Sequence, residues 1–173
     1  SDGTWGLWIP GLGAIIADAM EAADVAPWLQ SLVNDGIVSG VGGGKFAPNG
    51  NVPGVQLAKM LLVSLGYKSE NEGFTGNAWA TNVNVRAAQK GLYEGLEKMD
   101  SNAAITRDNA AQMVWNALNA YEVEYKTTLT TDSKGQLTSQ ITVQDKVVGA
   151  TNDKITMLED KYDVDKLEAV VTA

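Results

Sequence analysis

The sequence predicts a mainly α-helical fold: a small bundle of helix-loop-helix repeats, followed by a β-rich C-terminal extension. The helical part is predicted by the apolar spacing of residues 105–118, and by the recurrence of a similar pattern earlier in the chain. The extension is predicted by a change of composition, because 16 of the 18 glycines precede residue 121. These observations divide the chain into an N-terminal loop and helix (1–23), a first repeat (24–70), a second repeat (71–120) and a β-rich connector or partial domain (121–173).

The stretch from Ile105 to Leu118, ITRDNAAQMVWNAL, has the features of a complete helix. Thr106 suits the N-cap position, because its side-chain oxygen can accept a hydrogen bond from an N–H of the first turn. Apolar residues then follow at helical spacing, at Ala110, Met113, Val114, Ala117 and Leu118. The remaining polar edge is narrow, so the pattern predicts a helix that is mostly enclosed by other helices.

Arg107 is the unusual residue of this helix, because it falls in the first turn. There the helix dipole disfavours a cation by about 0.3–1 kcal/mol, and unpaired backbone N–H groups face outward. We therefore expect an anion close to Arg107. Two kinds of anion remain open at this point: a bound ligand, or a carboxylate of the same chain such as Glu94 or Glu97.

A similar helix occurs earlier in the chain. Residues Val52–Leu65 align with Ile105–Leu118 at an offset of 53 residues. Upstream of these helices, Gly36–Gly40 aligns with Gly91–Gly95 at an offset of 55 residues. A period of about 55 residues with a two-residue slip in its loop indicates a small array of structural repeats.

The motifs follow one order, which is a helix, a GI-x-x-G turn, a G-x-F-x-P-x-x-x-V element, a TRAE-like helix start and an A-x-x-(hydrophobic run)-L-G ending. Several of these elements occur in this order in both copies. In the first repeat the motif residues are Leu32, Gly36, Ile37, Gly40, Gly44, Phe46, Pro48, Asn49, Val52, Leu57, Ala58, Leu65 and Gly66. In the second repeat they are Trp79, Ala80, Gly91, Leu92, Gly95, Ile105, Thr106, Arg107, Asp108, Ala111 and Leu118. Residues 24–120 thereby resemble two repeats of the S-layer homology domain of bacterial surface proteins.

This resemblance implies a function outside the cell, in the bacterial cell wall or S-layer. Domains of this family are non-catalytic anchoring modules that bind an anionic, often pyruvylated, secondary cell-wall polysaccharide in the grooves between repeats. The resemblance implies a ligand site formed by Trp79, Thr106, Arg107, Asp108 and Asn109, with no cofactor, metal or catalytic residue. Trp79 would supply a flat apolar wall, or would serve equally well as a core anchor at the repeat junction.

The two repeats differ at the start of the second helix. The first repeat carries Pro53, Gly54 and Val55 where the second carries Thr106, Arg107 and Asp108. The first repeat has therefore lost both the cation and the acid of the motif. We expect its groove not to bind the polymer.

The family packs three repeats, whereas this sequence shows two. Residues Ala14–Ala23 have helical apolar spacing, so we expect an N-terminal helix that covers the side where a third repeat would lie. A third repeat supplied in trans, or other S-layer subunits, would be the alternative. This apolar run is too short to span a bilayer, and its acidic residues do not suit a signal peptide, so we expect no membrane span.

The segments between the motifs allow further assignments. Residues Trp28–Asp35 predict the first helix of repeat one, which ends at Gly36. Residues Lys68–Ala78 form a polar linker, and Trp79 begins the first helix of repeat two. Repeat two lacks the G-x-F-x-P element, so Leu96–Ala104 should follow a path of its own.

After Ala120 the chain contains short alternating segments. Glu122–Thr131, Gln136–Val143 and Lys166–Thr172 have the alternation of strands, and residues 132–135 provide a hairpin turn between the first two. Ile155–Lys161 has the pattern of a helical turn.

Composition excludes several classes of function. The chain has no cysteine and no histidine, which excludes thiol catalysis, disulfides, histidine acid–base chemistry and the usual zinc sites. Its net charge of −8 argues against nucleic acid as a partner, because phosphate binding requires a basic surface.

Two other functions are alternatives to wall binding. A purely structural S-layer module would contact copies of itself and bind no polymer. A glycosidase would need two carboxylates, for which Asp24 with Asp35 or Glu94 with Asp108 are candidates. Neither pair lies in a recognisable catalytic motif, so we expect a protein that is not an enzyme.

Overall fold

The computed structural model describes residues 6–9, 14–17, 28–38, 45–46, 50–131 and 133–164. These residues include six helices: α1 (28–34), α2 (Gly54–Ser64), α3 (Ser69–Glu72), α4 (Trp79–Gln89), α5 (Arg107–Leu118) and α6 (Met157–Tyr162). They also include seven strands: β1 (Gly6–Ile9), β2 (Ala14–Ala17), β3 (Lys45–Phe46), β4 (Val123–Thr131), β5 (Leu137–Asp145), β6 (Val147–Val148) and β7 (Asp153–Lys154). The strands form three sheets, β1-β2-β3, β4-β5 and β6-β7.

The prediction of a mainly α-helical fold is wrong, because the described chain combines helices with strands on both sides of them in sequence. In the C-terminal extension the β4–β5 hairpin is joined by a second, shorter hairpin, β6–β7. A three-stranded sheet that the sequence pattern did not predict is formed by β1 and β2, which precede α1, and by β3, which follows it. The fold is therefore mixed α and β.

The predicted N-terminal helix is the clearest error. Its first residues, Ala14–Ala17, form β2, which pairs antiparallel with β1 and parallel with β3. A short apolar run fits a helix face and a buried strand equally well, and the adjacent β-branched Ile15 and Ile16 suit extended backbone. The rest of that prediction, 18–23, lies outside the described residues, as does the predicted strand Lys166–Thr172.

The helices of the two repeats were predicted correctly. α1 is followed by Gly36, whose φ of 72° marks the left-handed residue that ends a helix. α4 begins at Trp79, and α5 begins after Thr106, whose side chain accepts a hydrogen bond from the Asn109 N–H. α2 lies at the centre, because it packs against both α4 and α5.

The core includes residues from the helices and from the extension. Its fully buried residues on the three central helices are Ala58, Leu62, Val83, Ala87, Met113 and Ala117. Val123 at the start of β4 and Met157 at the start of α6 belong to the same cluster. The extension is thus bound to the helices by a shared apolar core.

The predicted polar linker between the repeats is partly ordered and partly buried. It contains the short helix α3, and Phe74 within it is 1% exposed, the largest fully buried side chain among the described residues. Phe74 had no helical or alternating apolar neighbours that would indicate a core position. It belongs to the same core cluster as the buried residues of α2, α4 and α5.

The segment Leu96–Ala104 crosses the start of α2. The Gly54 N–H donates to the Ala103 carbonyl (3.2 Å), and the Val55 N–H donates to the Ser101 carbonyl (2.7 Å). A Cβ on Gly54 would lie 3.2 Å from the Ser101 Cα, so a side chain there would push the two segments slightly apart. The first-turn N–H groups of α2 are therefore already bonded.

An ion-pair network joins the start of β4 to α6. Glu122, 4% exposed, contacts Lys146 at 2.9 Å and Lys161 at 3.3 Å. Lys146 also contacts Asp160 at 2.9 Å. The hydrogen bond from Lys146 lowers the pKa of Asp160 from 3.8 to about 2.

This pKa shift predicts how acid affects stability. The pKa of Asp160 is lower in the folded protein than in the unfolded chain. Its contribution to the free energy of unfolding is therefore fully present above pH 3.8 and is lost as the pH falls towards 2. We expect Asp160→Asn to lower the free energy of unfolding by about 1 kcal/mol at pH 7, since partial exposure screens the pair. Urea unfolding at pH 7, 4 and 2.5 should show this difference shrinking below pH 4.

The control for this prediction is Asp163→Asn. Asp163 forms no ion pair within the described part of the chain, and asparagine tolerates its φ of 54°. A constant difference between wild type and Asp160→Asn across the pH range would contradict the assignment.

Candidate functional site

The candidate site is the first turn of α5. Its backbone is held by the Ile105 N–H, which donates to the Val52 carbonyl (2.9 Å). The Thr106 hydroxyl accepts from the Asn109 N–H (3.2 Å). Arg107 and Asp108 are exposed, and Asn109 is half-buried. Four predicted site residues, Thr106 to Asn109, thus lie together at one helix end.

Arg107 has no partner within the part of the chain that the structure describes: no carboxylate forms an ion pair with it, and no acceptor binds its guanidinium. The two carboxylates suggested by the sequence are placed elsewhere. The Glu97 carboxylate accepts from the Gly95 N–H (3.2 Å). The Glu94 backbone carbonyl accepts a hydrogen bond from the Asn116 side chain. Asn116 follows Asp108 by two turns of α5, about 12 Å at 1.5 Å per residue, so the backbone of Glu94 lies near the other end of the helix.

The separation of Glu94 and Asp108 along α5 also concerns the alternative function of a glycosidase. The two carboxyl groups of a glycosidase lie about 5–9.5 Å apart on either side of the scissile bond. Glu94 and Asp108 are both exposed, and their backbones lie near opposite ends of α5. Asp24, the other candidate, lies outside the described residues. Neither pair named from the sequence is therefore brought together within the described residues.

The starts of α2 and α5 differ in their free hydrogen-bond donors. At α2, the segment 96–104 supplies carbonyl acceptors to Gly54 and Val55. At α5, the Thr106 hydroxyl caps Asn109 alone, and no other segment within the described ranges supplies a carbonyl to Arg107 or Asp108. Free N–H groups at the start of a helix attract anions. Of these two helices, only α5 therefore has a start that can bind an anion.

Trp79 is not on the helix that carries the other four predicted site residues. It begins α4, is half-buried and packs against the core cluster. Both α4 and α5 pack on α2, and no hydrogen bond or ring contact links Trp79 to Arg107 among the described residues. The predicted apolar wall thus stands at the start of a different helix.

Lys59 lies over Trp79 and was missed by the sequence reasoning. Its Nζ atom is 5.9 Å from the ring centroid, within the range of a cation–π contact. Burial lowers the pKa of Lys59, and none of the described carboxylates forms an ion pair with it. The signal in the sequence was a cation inside the apolar run LAKMLL of α2.

The described residues hold no group of three or more acidic side chains that could bind a metal ion. None of their helices has the length and apolar character needed to cross a membrane. The chain matches no family model, no curated protein and no solved structure. The resemblance to the S-layer homology domain accordingly depends on the sequence motifs alone.

Proposed function

We propose that this protein is a non-catalytic anchoring module on the bacterial cell surface. In this proposal it binds an anionic secondary cell-wall polysaccharide at the start of α5. The main supporting observation concerns Arg107, which is an exposed cation without a partner among the described residues. The backbone N–H groups beside it donate no hydrogen bond to any other described segment. The sequence motifs of the S-layer homology domain support the choice of ligand.

The chemistry of this helix start suits a carboxylate such as that of a pyruvylated sugar. The guanidinium of Arg107 can donate two parallel hydrogen bonds to the two oxygens of a carboxylate. The first-turn N–H groups and the helix dipole favour the same negative charge. The carboxylate of Asp108 and the amide of Asn109 can bond the neighbouring hydroxyl groups of the sugar.

The net charge of −8 limits how this binding can work. An acidic protein does not attract a polyanion over a long distance, because its overall field repels the polymer. Binding must therefore depend on short-range contacts of fixed geometry at one site. The affinity should fall as salt is added, since the contact with Arg107 is exposed to solvent.

Replacement of Arg107 by alanine tests the proposal. A charge-assisted hydrogen bond contributes about 1.5–3 kcal/mol, so Arg107→Ala should weaken binding about ten- to a hundredfold. The measurement is retention on purified cell walls, with and without their anionic polymer, supported by titration with a pyruvylated sugar.

Lys98→Ala provides the matched control. Lys98 is also an exposed cation without an ion pair in the described chain, but it lies in a loop and not at a helix start. Its removal should leave retention unchanged. Retention that depends neither on the polymer nor on Arg107 would refute wall anchoring.

A further inference from the structure

The β4–β5 ribbon, which consists of residues 123–131 and 137–145, projects from the core. The two strands pair antiparallel in continuous register from Val123↔Asp145 to Thr131↔Leu137. At its base, Asp145 contacts Lys90 (2.9 Å), and the Tyr125 hydroxyl donates to Glu72 (2.8 Å). Beyond Tyr125 every described residue as far as Thr142 is exposed.

The two faces of the ribbon differ in character. Side chains alternate between the faces, so residues paired across the strands share a face. One face is polar and carries Glu124, Lys126, Thr128, Thr130, Thr138, Gln140, Thr142 and Gln144. The other face carries the apolar residues Val123, Tyr125, Leu129, Leu137, Ile141 and Val143.

No described residue covers the outer half of the apolar face. Leu129 is 69% exposed, Leu137 is 75% exposed and Ile141 is 57% exposed. Together they present on the order of 400 Å² of apolar surface, which is the size of the largest apolar patch on a typical monomer, and such patches are often functional. A two-stranded ribbon alone is only marginally stable in water, so covering this face would also stabilise the ribbon.

We propose that the apolar face of the β4–β5 ribbon packs against the same face of a second copy of this chain. The pairing across the ribbon sets a large side chain opposite a small one at three successive positions. Leu137 is opposite Thr131, Leu129 is opposite Ser139, and Ile141 is opposite Thr127. Large side chains alternate between the two strands, so a copy related by a twofold axis that runs parallel to the strands, between the two faces, places its large side chains over the small ones.

Charge also favours a second copy. Each chain has a net charge of −8, so most of the surface of one copy repels that of another. Residues 127–131 and 137–144 carry no charge, and between them in the sequence Asp132 and Lys134 have opposite charges. The outer ribbon is therefore a neutral surface by which two acidic chains can approach.

The size of the contact predicts its strength. Two such faces with their flanking residues bury on the order of 1,000 Å², which is near the lower end for a specific interface. The dimer should accordingly be reversible and depend on protein concentration. The ribbon is distinct from the start of α5, so this inference does not depend on wall binding.

Sedimentation over a range of concentrations tests the proposal. The wild type should show a monomer–dimer equilibrium, and the triple variant Leu129→Thr, Leu137→Thr and Ile141→Thr should weaken it at least tenfold. Threonine retains strand propensity, and circular dichroism would verify the fold. The matched control is the double variant Thr128→Ser and Thr142→Ser on the polar face, which should dimerise like the wild type.

The absence of cysteine allows a test of position. A short bismaleimide cross-linker should join two Ser139→Cys chains into a dimer, because residue 139 lies at the middle of the proposed contact and packed sheets lie about 10 Å apart. Thr138→Cys, adjacent and equally exposed but on the polar face, should remain largely monomeric. A wild type that stays monomeric at high concentration, open-ended oligomers in place of a dimer, or equal cross-linking of both variants would overturn the proposal.

Discussion

Replacement of Phe74 by alanine should lower the free energy of unfolding by about 3–5 kcal/mol. The ring is 1% exposed and lies in the core cluster shared by α2, α4 and α5. The substitution removes the contacts of the ring and leaves a cavity that rigid neighbouring helices cannot fill. Such a loss is a large part of the stability of a domain of this size, which is about 5–15 kcal/mol.

Urea or thermal unfolding would measure this effect. Tyr162→Ala is the control, because that aromatic residue is 62% exposed and its loss should cost much less. Equal stability losses in the two variants would show that Phe74 is not a core residue.

The second large effect is expected for Gly66→Ala. Gly66 has a φ of 105°, a backbone angle that residues with a Cβ adopt only with strain. In addition, a Cβ would lie 2.5 Å from the Val123 carbonyl oxygen, at the point where the Val123 N–H donates to the Leu65 carbonyl (2.8 Å). Backbone strain and displacement of β4 together should cost about 2–5 kcal/mol.

Gly36→Ala separates these two causes. Gly36 also has a positive φ, 72°, but nothing lies within 4 Å of the position its Cβ would take. It should show the conformational cost alone, about 1–2 kcal/mol. If both variants lost the same stability in urea unfolding, the close contact between residue 66 and β4 would be disproved.

The sequence predicted those helices, strands and turns that depend on residues close together in the chain. The Thr106 cap, the helical spacing of α5 and the turn at residues 132–135 each depend on neighbours in sequence. The predicted strands on either side of that turn form β4 and β5. The existence of these elements was therefore predictable, and so was the cluster of polar residues at the start of α5.

Features that depend on distant pairing were not predictable in this way. Ala14–Ala17 became a strand because β1 and β3 pair with it, and a four-residue run carries no period of its own. Phe74 is buried by helices on both sides of its segment, although the residues around it are polar. Lys59 meets Trp79 because α2 packs on α4, which the sequence of neither helix specifies.

The shared core has a consequence for the order in which the protein folds. Val123 and Met157 complete a cluster whose other members begin at Val55, so the last apolar contacts join residues about 100 positions apart. Closing such a long loop is entropically costly and slow compared with the formation of a helix. During synthesis, the helices of both repeats leave the ribosome with one side of their core uncovered, and that side stays open to chaperones until α6 has emerged.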